Sequence, residues 1–261
     1  MNEIWFESTG TRLFAVEDGA GPAVVVMLHG GMASHVASLP LVAPLIPRFR
    51  VVTPDVRGNG RSRDGSPLTF DRLADDVAAL LDHLGVERAV IGGVSGGAGV
   101  ALRCALRHRE RTAGLVLVKP VHGGEELGYT AAQKQTFAGM DAVAGRALDE
   151  GVQVLRPLYA NLPPEIREKA LAMIEGFDAA SVVATSHFIA SGAQPFTTAA
   201  DLEAISLPTL LVRGDDPLHP AEVSDLYARH LPQCRTAPAS TADVAAEIAA
   251  FCEAIDPASR P

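Results

Sequence analysis

Ser95 lies in a glycine-rich turn of the kind that suits a nucleophile. Residues 92–97 read Gly-Gly-Val-Ser-Gly-Gly and directly follow the apolar run at 89–91. The stretch 93–97 satisfies the pattern G-x-S-x-G where a strand is expected to end and a helix to begin. In that context the glycines permit a sharp turn that holds the serine in a strained conformation and exposes its hydroxyl. The N-terminus of the following helix would aim free N–H groups at an anion formed at Ser95.

The elements that would position this serine alternate between short apolar runs and amphipathic stretches. Unbroken β-branched runs are typical of strands covered on both faces, as in a parallel sheet, and they occur at 23–28, 50–53, 89–91, 115–118 and 209–212. Helical patterns cover 71–84 and 97–108. Residues 3–6 and 12–16 are expected to pair as an antiparallel hairpin at the edge of the sheet. The sequence therefore predicts the α/β class, with a mostly parallel central sheet flanked by helices.

Residues 121–200 interrupt this alternation. They contain helical patterns separated by glycine- and proline-containing breaks near residues 151, 161–164 and 192–195. A helical insertion between two strands of a parallel sheet would cover the carboxyl edge of that sheet. We expect a core formed by 1–120 and 201–261 and a helical cap formed by 121–200.

Composition and charge exclude several classes of function. The chain has 261 residues, 48% of them hydrophobic, and a formal net charge of −9, which argues against a nucleic-acid or anionic membrane partner. Its three cysteines have no pairing or metal-ligand spacing, and the N-terminus lacks the apolar region of a signal peptide. No phosphate-binding loop, dinucleotide motif or metal cluster is present. We expect a cytoplasmic protein with no cofactor, no metal and a small-molecule substrate; nothing in the sequence fixes the oligomeric state.

Three further stretches accompany the serine turn: 29–34 (HGGMAS), 54–62 (PDVRGNGRS) and 214–217 (GDDP), each after a predicted strand. In this order and spacing the chain resembles the α/β-hydrolase fold family over essentially its whole length. The resemblance implies that Ser95 is the nucleophile and that the N–H groups of Gly31 and Gly96 form the oxyanion hole. It also implies that Asp216 is the acid of the catalytic triad, with Asp215 as a rival one residue earlier.

The chain departs from the family where the catalytic histidine is expected, on the loop before the C-terminal helix. Residues 233–244 contain no histidine, and none follows His230. The stretch from Asp216 to Phe251 is also shorter than is usual in the family. Because a serine hydroxyl is a poor nucleophile without an adjacent base, Ser95 requires a base from elsewhere.

Three other histidines could supply that base. His219 lies three residues after Asp216, His122 follows the predicted strand next to the serine strand, and His35 follows the predicted oxyanion stretch. Each could instead be a solvent-facing, loop or rim residue, but we select His219 because it is nearest to the acid. His35 and His122, with Met32 and Leu218, remain candidates for the wall of the substrate pocket.

The resulting hypothesis is an enzyme that acts on a small apolar or moderately polar metabolite, by ester or thioester hydrolysis through Ser95 with a displaced or degenerate base. One alternative is a non-hydrolytic lyase, isomerase or cyclase, in which the oxyanion hole would stabilise an enolate. A second alternative is a binding protein that keeps the pocket without turnover.

Overall fold

The computed structural model describes residues 1–162, 164–237 and 244–255, with the backbone alone for 165 and 166. Within these residues the strands form one eight-stranded sheet in the order β1-β2-β4-β3-β5-β6-β7-β8. The pairs β1–β2 and β2–β4 are antiparallel, and all other neighbours are parallel. The strands are β1 (Asn2–Ser8), β2 (Thr11–Asp18), β3 (Val24–Leu28), β4 (Arg50–Pro54), β5 (Ala89–Val94), β6 (Thr112–Val118), β7 (Thr209–Val212) and β8 (Cys234–Ala237).

Helices cover both faces of this sheet and fill the connection between β6 and β7. The α-helices of the described chain are α1 (Leu39–Val42), α2 (Phe70–His83), α3 (Gly96–Arg107), α4 (Gly124–Leu127), α5 (Ala131–Gly145), α6 (Ala147–Glu150), α7 (Pro164–Ile174), α8 (Ala179–Ala190), α9 (Ala199–Glu203), α10 (Ala221–His230) and α11 (Val244–Ile255). Short 3₁₀ helices occupy His35–Ala37, Ala43–Leu45, Arg109–Arg111 and Val152–Tyr159. Among the residues that the structure describes, no helix is long and apolar enough to cross a membrane.

The unbroken apolar run of β3 is explained by burial on both faces of the sheet. Val24, Val26 and Leu28 pack in one buried cluster with α2 and α3. Val25 and Met27 pack in a second cluster with α1 and α11. Successive side chains of a strand point to opposite faces, so a strand covered on both sides must be apolar at every position. This confirms the predicted α/β architecture.

The functional edge of the sheet follows from strand order and register. The strand order reverses at β3 and β5, which lie side by side while the chain winds outward in both directions. Leu28 pairs with Gly93, and Val118 pairs with Val212. The segments that follow β3, β5, β6 and β7 therefore leave the sheet at the same edge, at the switch point where α/β sheets bind ligands.

Most predicted elements are present, with small shifts at their ends. The two helices predicted at 71–84 and 97–108 each begin and end one residue earlier in the structure. The N-terminal hairpin is confirmed by the antiparallel pairing of β1 with β2. β8 was not predicted, because it is a four-residue edge strand with two exposed polar side chains, Arg235 and Thr236.

Candidate active site

Ser95 occupies a sharp turn between β5 and α3. Its backbone has φ 55° and ψ −116°, a region that residues other than glycine rarely adopt. A Cβ added at Gly93 would lie 2.2 Å from the carbonyl group of Gly97, and one added at Gly97 would lie 2.4 Å from the carbonyl oxygen of His29. Larger residues at these two positions would collide with the backbone, so the glycines are required for the turn that presents Ser95.

His219 lies between Ser95 and Asp216 in a hydrogen-bonded row. Its Nε2 atom is 3.1 Å from the Ser95 hydroxyl oxygen. Its Nδ1 atom is 2.9 Å and 3.0 Å from the two carboxylate oxygens of Asp216. This geometry is that of a nucleophile, a base and an acid that orients the base.

The loop after β7 holds His219 against its own acid. The Asp216 carboxylate accepts hydrogen bonds from the backbone N–H groups of Leu218, at 3.0 Å, and His219, at 2.9 Å. A Cβ at Gly214 would lie 2.3 Å from the His219 carbonyl oxygen, so only glycine lets the loop fold back this tightly. The Gly214 N–H donates to the Ser224 hydroxyl of α10. Asp216 and His219, three residues apart, thus lie in one tight turn that fixes the position of the imidazole.

The electrostatic surroundings keep the Asp216 carboxylate ionised. Burial acts to raise the pKa of Asp216, but hydrogen bonds from the ring and the backbone of His219 outweigh it and lower that pKa below its ordinary value. The ammonium of Lys119 lies 3.8 Å from the Asp216 carboxylate and 3.9 Å from that of Asp215. Of the two neighbouring acids, Asp216 is the one whose carboxylate meets the imidazole.

Gly31 and Gly96 lie beside each other on the floor of the site. The Cβ position of Gly96 is 3.5 Å from the backbone nitrogen of Gly31. Neither N–H group donates to a protein acceptor within the described residues, as is normal for the first N–H of a helix such as Gly96. Two unpaired amides next to the Ser95 turn could accept a developing negative charge.

A cavity of about 110 Å³ opens above these groups, between the sheet edge and the helices that follow β6. A cavity of about 150 Å³ holds a benzene molecule, so this one is suited to a short acyl chain. Most of its wall is apolar. The residues that line it include Gly31, Val56, Leu68, Phe70, Ser95, Gly96, Val100, Val121, His122, Tyr129, Phe137, Met140, Phe188, Ile189 and Leu218.

Two of the four pocket candidates are part of this wall and two are not. His122 and Leu218 line the cavity. Met32 and His35 are not among the residues that line it. Met32 is buried in a cluster with Ile174 and other residues of the helical segment. The His35 ring donates a hydrogen bond to the Asp55 carboxylate at 2.8 Å.

Sequence reasoning missed the aromatic side of the cavity. Tyr129, Phe137 and Phe188 come from the helical segment between β6 and β7. That segment holds both patterned and irregular helices, so periodicity alone did not show which side chains turn inward. The clustering of aromatic residues there, in a chain that is only 5% aromatic, was the available signal.

The comparison with protein families decides the classification. The model of the family described as alpha/beta hydrolase fold matches residues 23–244. The chain belongs to the α/β-hydrolase fold family. The match runs from the start of the parallel sheet to the first residue of α11, so it includes the stretches that carry Ser95, Asp216 and His219.

Relatives of this α/β hydrolase bear several functional names. It is 29% identical to the magnesium-chelatase 30 kDa subunit of Rhodobacter capsulatus, with 81% of this chain and 78% of that protein aligned. It is 30% identical to the putative carbamate hydrolase RutD of Caulobacter sp. (strain K31), with 81% of each chain aligned. Haloalkane dehalogenase 2 of Mycobacterium tuberculosis aligns over only 40% of its own length.

Solved structures agree with the fold. A thermophilic esterase from Thermogutta terrifontis superposes with a TM-score of 0.77 at 25% identity, covering 98% of this chain and 99% of that one. Several of the proteins found in these comparisons are named as hydrolases, while their names differ in the bond that is cleaved.

Proposed function

We propose that this α/β hydrolase is a serine hydrolase of small uncharged esters or thioesters, with His219 as a base displaced to the acid's own loop. The observation that carries the proposal is the 3.1 Å separation between His219 Nε2 and the Ser95 hydroxyl oxygen. Together with the contact of Nδ1 to Asp216, this separation supports His219 as the base that the C-terminal loop does not encode.

In the first half-reaction, the Ser95 hydroxyl oxygen attacks the substrate carbonyl carbon while His219 Nε2 takes its proton. Asp216 accepts the Nδ1–H hydrogen bond, which holds the productive tautomer and stabilises the imidazolium. The N–H groups of Gly31 and Gly96 bind the oxyanion of the tetrahedral intermediate. His219 then gives its proton to the departing alcohol or thiol, which leaves an acyl group on Ser95.

In the second half-reaction, a water molecule takes the place of the leaving group. His219 removes a proton from that water, the hydroxide attacks the acyl carbon, and Ser95 regains its proton when the acid leaves. One imidazole acts as base and then as acid in both halves. No residue outside the row formed by Ser95, His219 and Asp216 is needed to move protons.

The cavity supports a small, uncharged acyl group. Its volume of about 110 Å³ and its largely apolar wall favour apolar burial over recognition of a sugar or nucleotide. The names of the esterase and of the carbamate hydrolase support attack on an ester-like carbonyl. Carbamates therefore belong in the substrate panel beside esters and thioesters.

We also propose that residues 121–200 act as a cap over the core formed by 1–120 and 201–261. The cavity wall combines core residues such as Ser95 and Val100 with Tyr129, Met140 and Ile189 from the segment between β6 and β7. A separate buried cluster ties several of these helices together. Such a cap would exclude water from the acylation step.

The proposal is tested by turnover of a panel of short-chain esters, thioesters and carbamates. Ser95→Ala and His219→Ala should each lower kcat/KM by about 10³-fold or more, as removal of a nucleophile or base does. His230→Ala is the matched control, since that histidine pairs with Glu203 on the surface, and it should stay within about twofold.

Three outcomes would contradict the proposal. Rapid hydrolysis that survives in His219→Ala would show that His219 is not the base. Turnover of a non-hydrolysable substrate in the Ser95→Ala protein would favour the lyase, isomerase or cyclase alternative. Saturable binding of esters with no turnover in the wild type would favour a binding protein.

A further inference from the structure

His122 is a buried histidine without a hydrogen-bonding partner on a cavity wall. Its side chain is 4% exposed, and its Nδ1 atom is one of two buried side-chain nitrogen or oxygen atoms in the described residues that lack a partner. Burial lowers the pKa of His122 to about 3, so the ring is neutral. An unpaired polar group in an apolar wall is destabilising, and an apolar side chain would avoid that cost.

The surrounding packing makes room for an imidazole at this place. A Cβ at Gly99 would lie 2.6 Å from His122 Nδ1, although glycine inside a helix such as α3 is less favourable than alanine. The ring of Phe70 packs edge-on against His122, with centroids 4.9 Å apart. The backbone carbonyl of His122 accepts a hydrogen bond from the Tyr227 hydroxyl. The ring is thus held in place by packing, with its unpaired Nδ1 atom enclosed against Gly99 and the residue on the cavity wall. Because Nδ1 is enclosed, a ligand in the cavity could reach only the other ring nitrogen, Nε2.

Tyr129 adds a second polar group to the same part of the wall. Its ring centroid is 5.7 Å from that of His122, and both residues line the cavity. Burial raises the pKa of Tyr129 above its ordinary value, so this group is also neutral. Arg57 also borders the cavity, but its side chain is buried and its guanidinium is hydrogen-bonded to Asp76 and Asp64. The wall therefore suits an uncharged polar atom better than a carboxylate.

The position of His122 relative to Ser95 indicates where the uncharged polar atom of a ligand would lie. Gly99, which touches the His122 ring, comes four residues after Ser95 along α3. Four residues of an α-helix rise about 6 Å. An extended acyl chain that is bonded to Ser95 and runs along α3 would therefore pass His122 about four or five bonds from its carbonyl carbon.

We propose that His122 and Tyr129 form a hydrogen-bonding subsite for an uncharged oxygen on the acyl chain, such as a ketone. The substrate class is then short esters of oxo-acids rather than simple alkanoates. This inference rests on the proposed hydrolytic function for its kinetic test, and a binding test separates the two.

The kinetic test compares p-nitrophenyl hexanoate with p-nitrophenyl 5-oxohexanoate, which differ by one ketone oxygen, each normalised to its hydroxide-catalysed rate. The wild type should prefer the oxo ester by about tenfold or more in kcat/KM, since a hydrogen bond at a buried unpaired group discriminates strongly. In His122→Phe the ratio should fall to about 1. In Gly99→Ala, which pushes on the ring, the ratio should fall by about threefold or more without any change to a polar group.

A binding test covers the case in which no ester is hydrolysed or His122→Phe does not fold. Ser95→Ala protein labelled with ¹⁵N is titrated with methyl hexanoate and methyl 5-oxohexanoate. Tighter binding of the oxo ester, with a shift of the His122 ring nitrogens, supports the subsite even if hydrolysis is absent. Equal binding of the two esters overturns the subsite. An oxo preference that is unchanged between wild type and Gly99→Ala also overturns it.

Discussion

Two polar clusters at the same edge of the sheet are built in opposite ways. Around Arg57, which is 1% exposed, the guanidinium donates to the carboxylates of Asp76 and Asp64 and to the Ser8 carbonyl, at distances of 2.6–2.9 Å. Its charge and its donors are matched by the protein itself. Such a closed network contributes to folding when complete and is costly when broken.

The cluster around Ser95 is left open. Its hydroxyl has a base at 3.1 Å, the N–H groups of Gly31 and Gly96 have no protein acceptor within the described residues, and its backbone has a positive φ. We infer that polar groups paired within the protein serve stability, whereas polar groups without a protein partner serve a ligand. Replacements in the two clusters should therefore separate stability from activity.

Replacing Arg57 with methionine should have the largest effect on stability. The carboxylate of Asp76 would remain at low exposure without its cation, while Asp64 would keep only Arg72, so we expect a loss of about 3–5 kcal/mol in the free energy of unfolding. Urea denaturation measures it. The exposed Arg146, paired with Glu150 four residues along the chain, is the control, and Arg146→Met should leave the urea midpoint nearly unchanged because exposed ion pairs contribute little. Similar costs for both variants would contradict the contrast.

The buried neutral histidine should make stability depend on pH. An unfolded histidine has a pKa of about 6.5, while that of folded His122 lies at about 3. Between these values the unfolded state binds more protons, so the free energy of unfolding falls as the pH falls from about 6.5 towards 3, by up to about 1.4 kcal/mol per unit. His29 also has a lowered pKa through burial, and both histidines contribute to the wild-type slope.

Urea unfolding of the wild type and of His122→Phe, at intervals from pH 7.5 to pH 4.5, isolates the contribution of His122. The variant should lose part of the slope below about pH 6.5 and keep the part that arises from His29. Identical slopes in the two proteins would show that His122 is protonated in the fold or is not buried.

The strained backbone at Ser95 should make a glycine variant more stable than an alanine variant, the reverse of the usual order. Alanine is usually more favourable than glycine in a folded chain, but at a positive φ a Cβ atom costs about 1–2 kcal/mol. Ser95→Gly should therefore be more stable than Ser95→Ala by about 1 kcal/mol, although both lack hydrolytic activity. Thermal unfolding of the two variants decides this, and a more stable alanine variant would show that the turn is relaxed.

Much of the fold and of the serine turn could be predicted because both depend on local sequence patterns. The strand, turn and helix around Ser95 are encoded within a few residues by β-branched runs and by glycines that only a tight turn requires. His219 could be proposed because it lies three residues from Asp216 in sequence. Its contact with Ser95 depends on how tightly Gly214 lets the loop fold back, which no local pattern specifies.

The wall of the cavity depends on long-range packing and was predicted less well. His35 follows the oxyanion stretch, but Asp55, from the next strand connection, holds its ring by a hydrogen bond. Met32 turns into the cluster of the helical segment because Phe177 and Ile174 offer it burial there. Both outcomes follow from partners that are distant in sequence, so spacing alone could not reveal them.

In the proposed mechanism, His219 activates Ser95 from the loop that also carries its acid, Asp216. The most direct measurement is the rate at which a fluorophosphonate labels Ser95, because it needs no knowledge of the substrate. Labelling of the wild type should be stoichiometric at Ser95, and His219→Ala should slow it by about 10²-fold or more with an unchanged urea midpoint. The His230→Ala control should label at the wild-type rate. Equal labelling rates in the wild type and in His219→Ala would contradict a role for His219 as the base of Ser95.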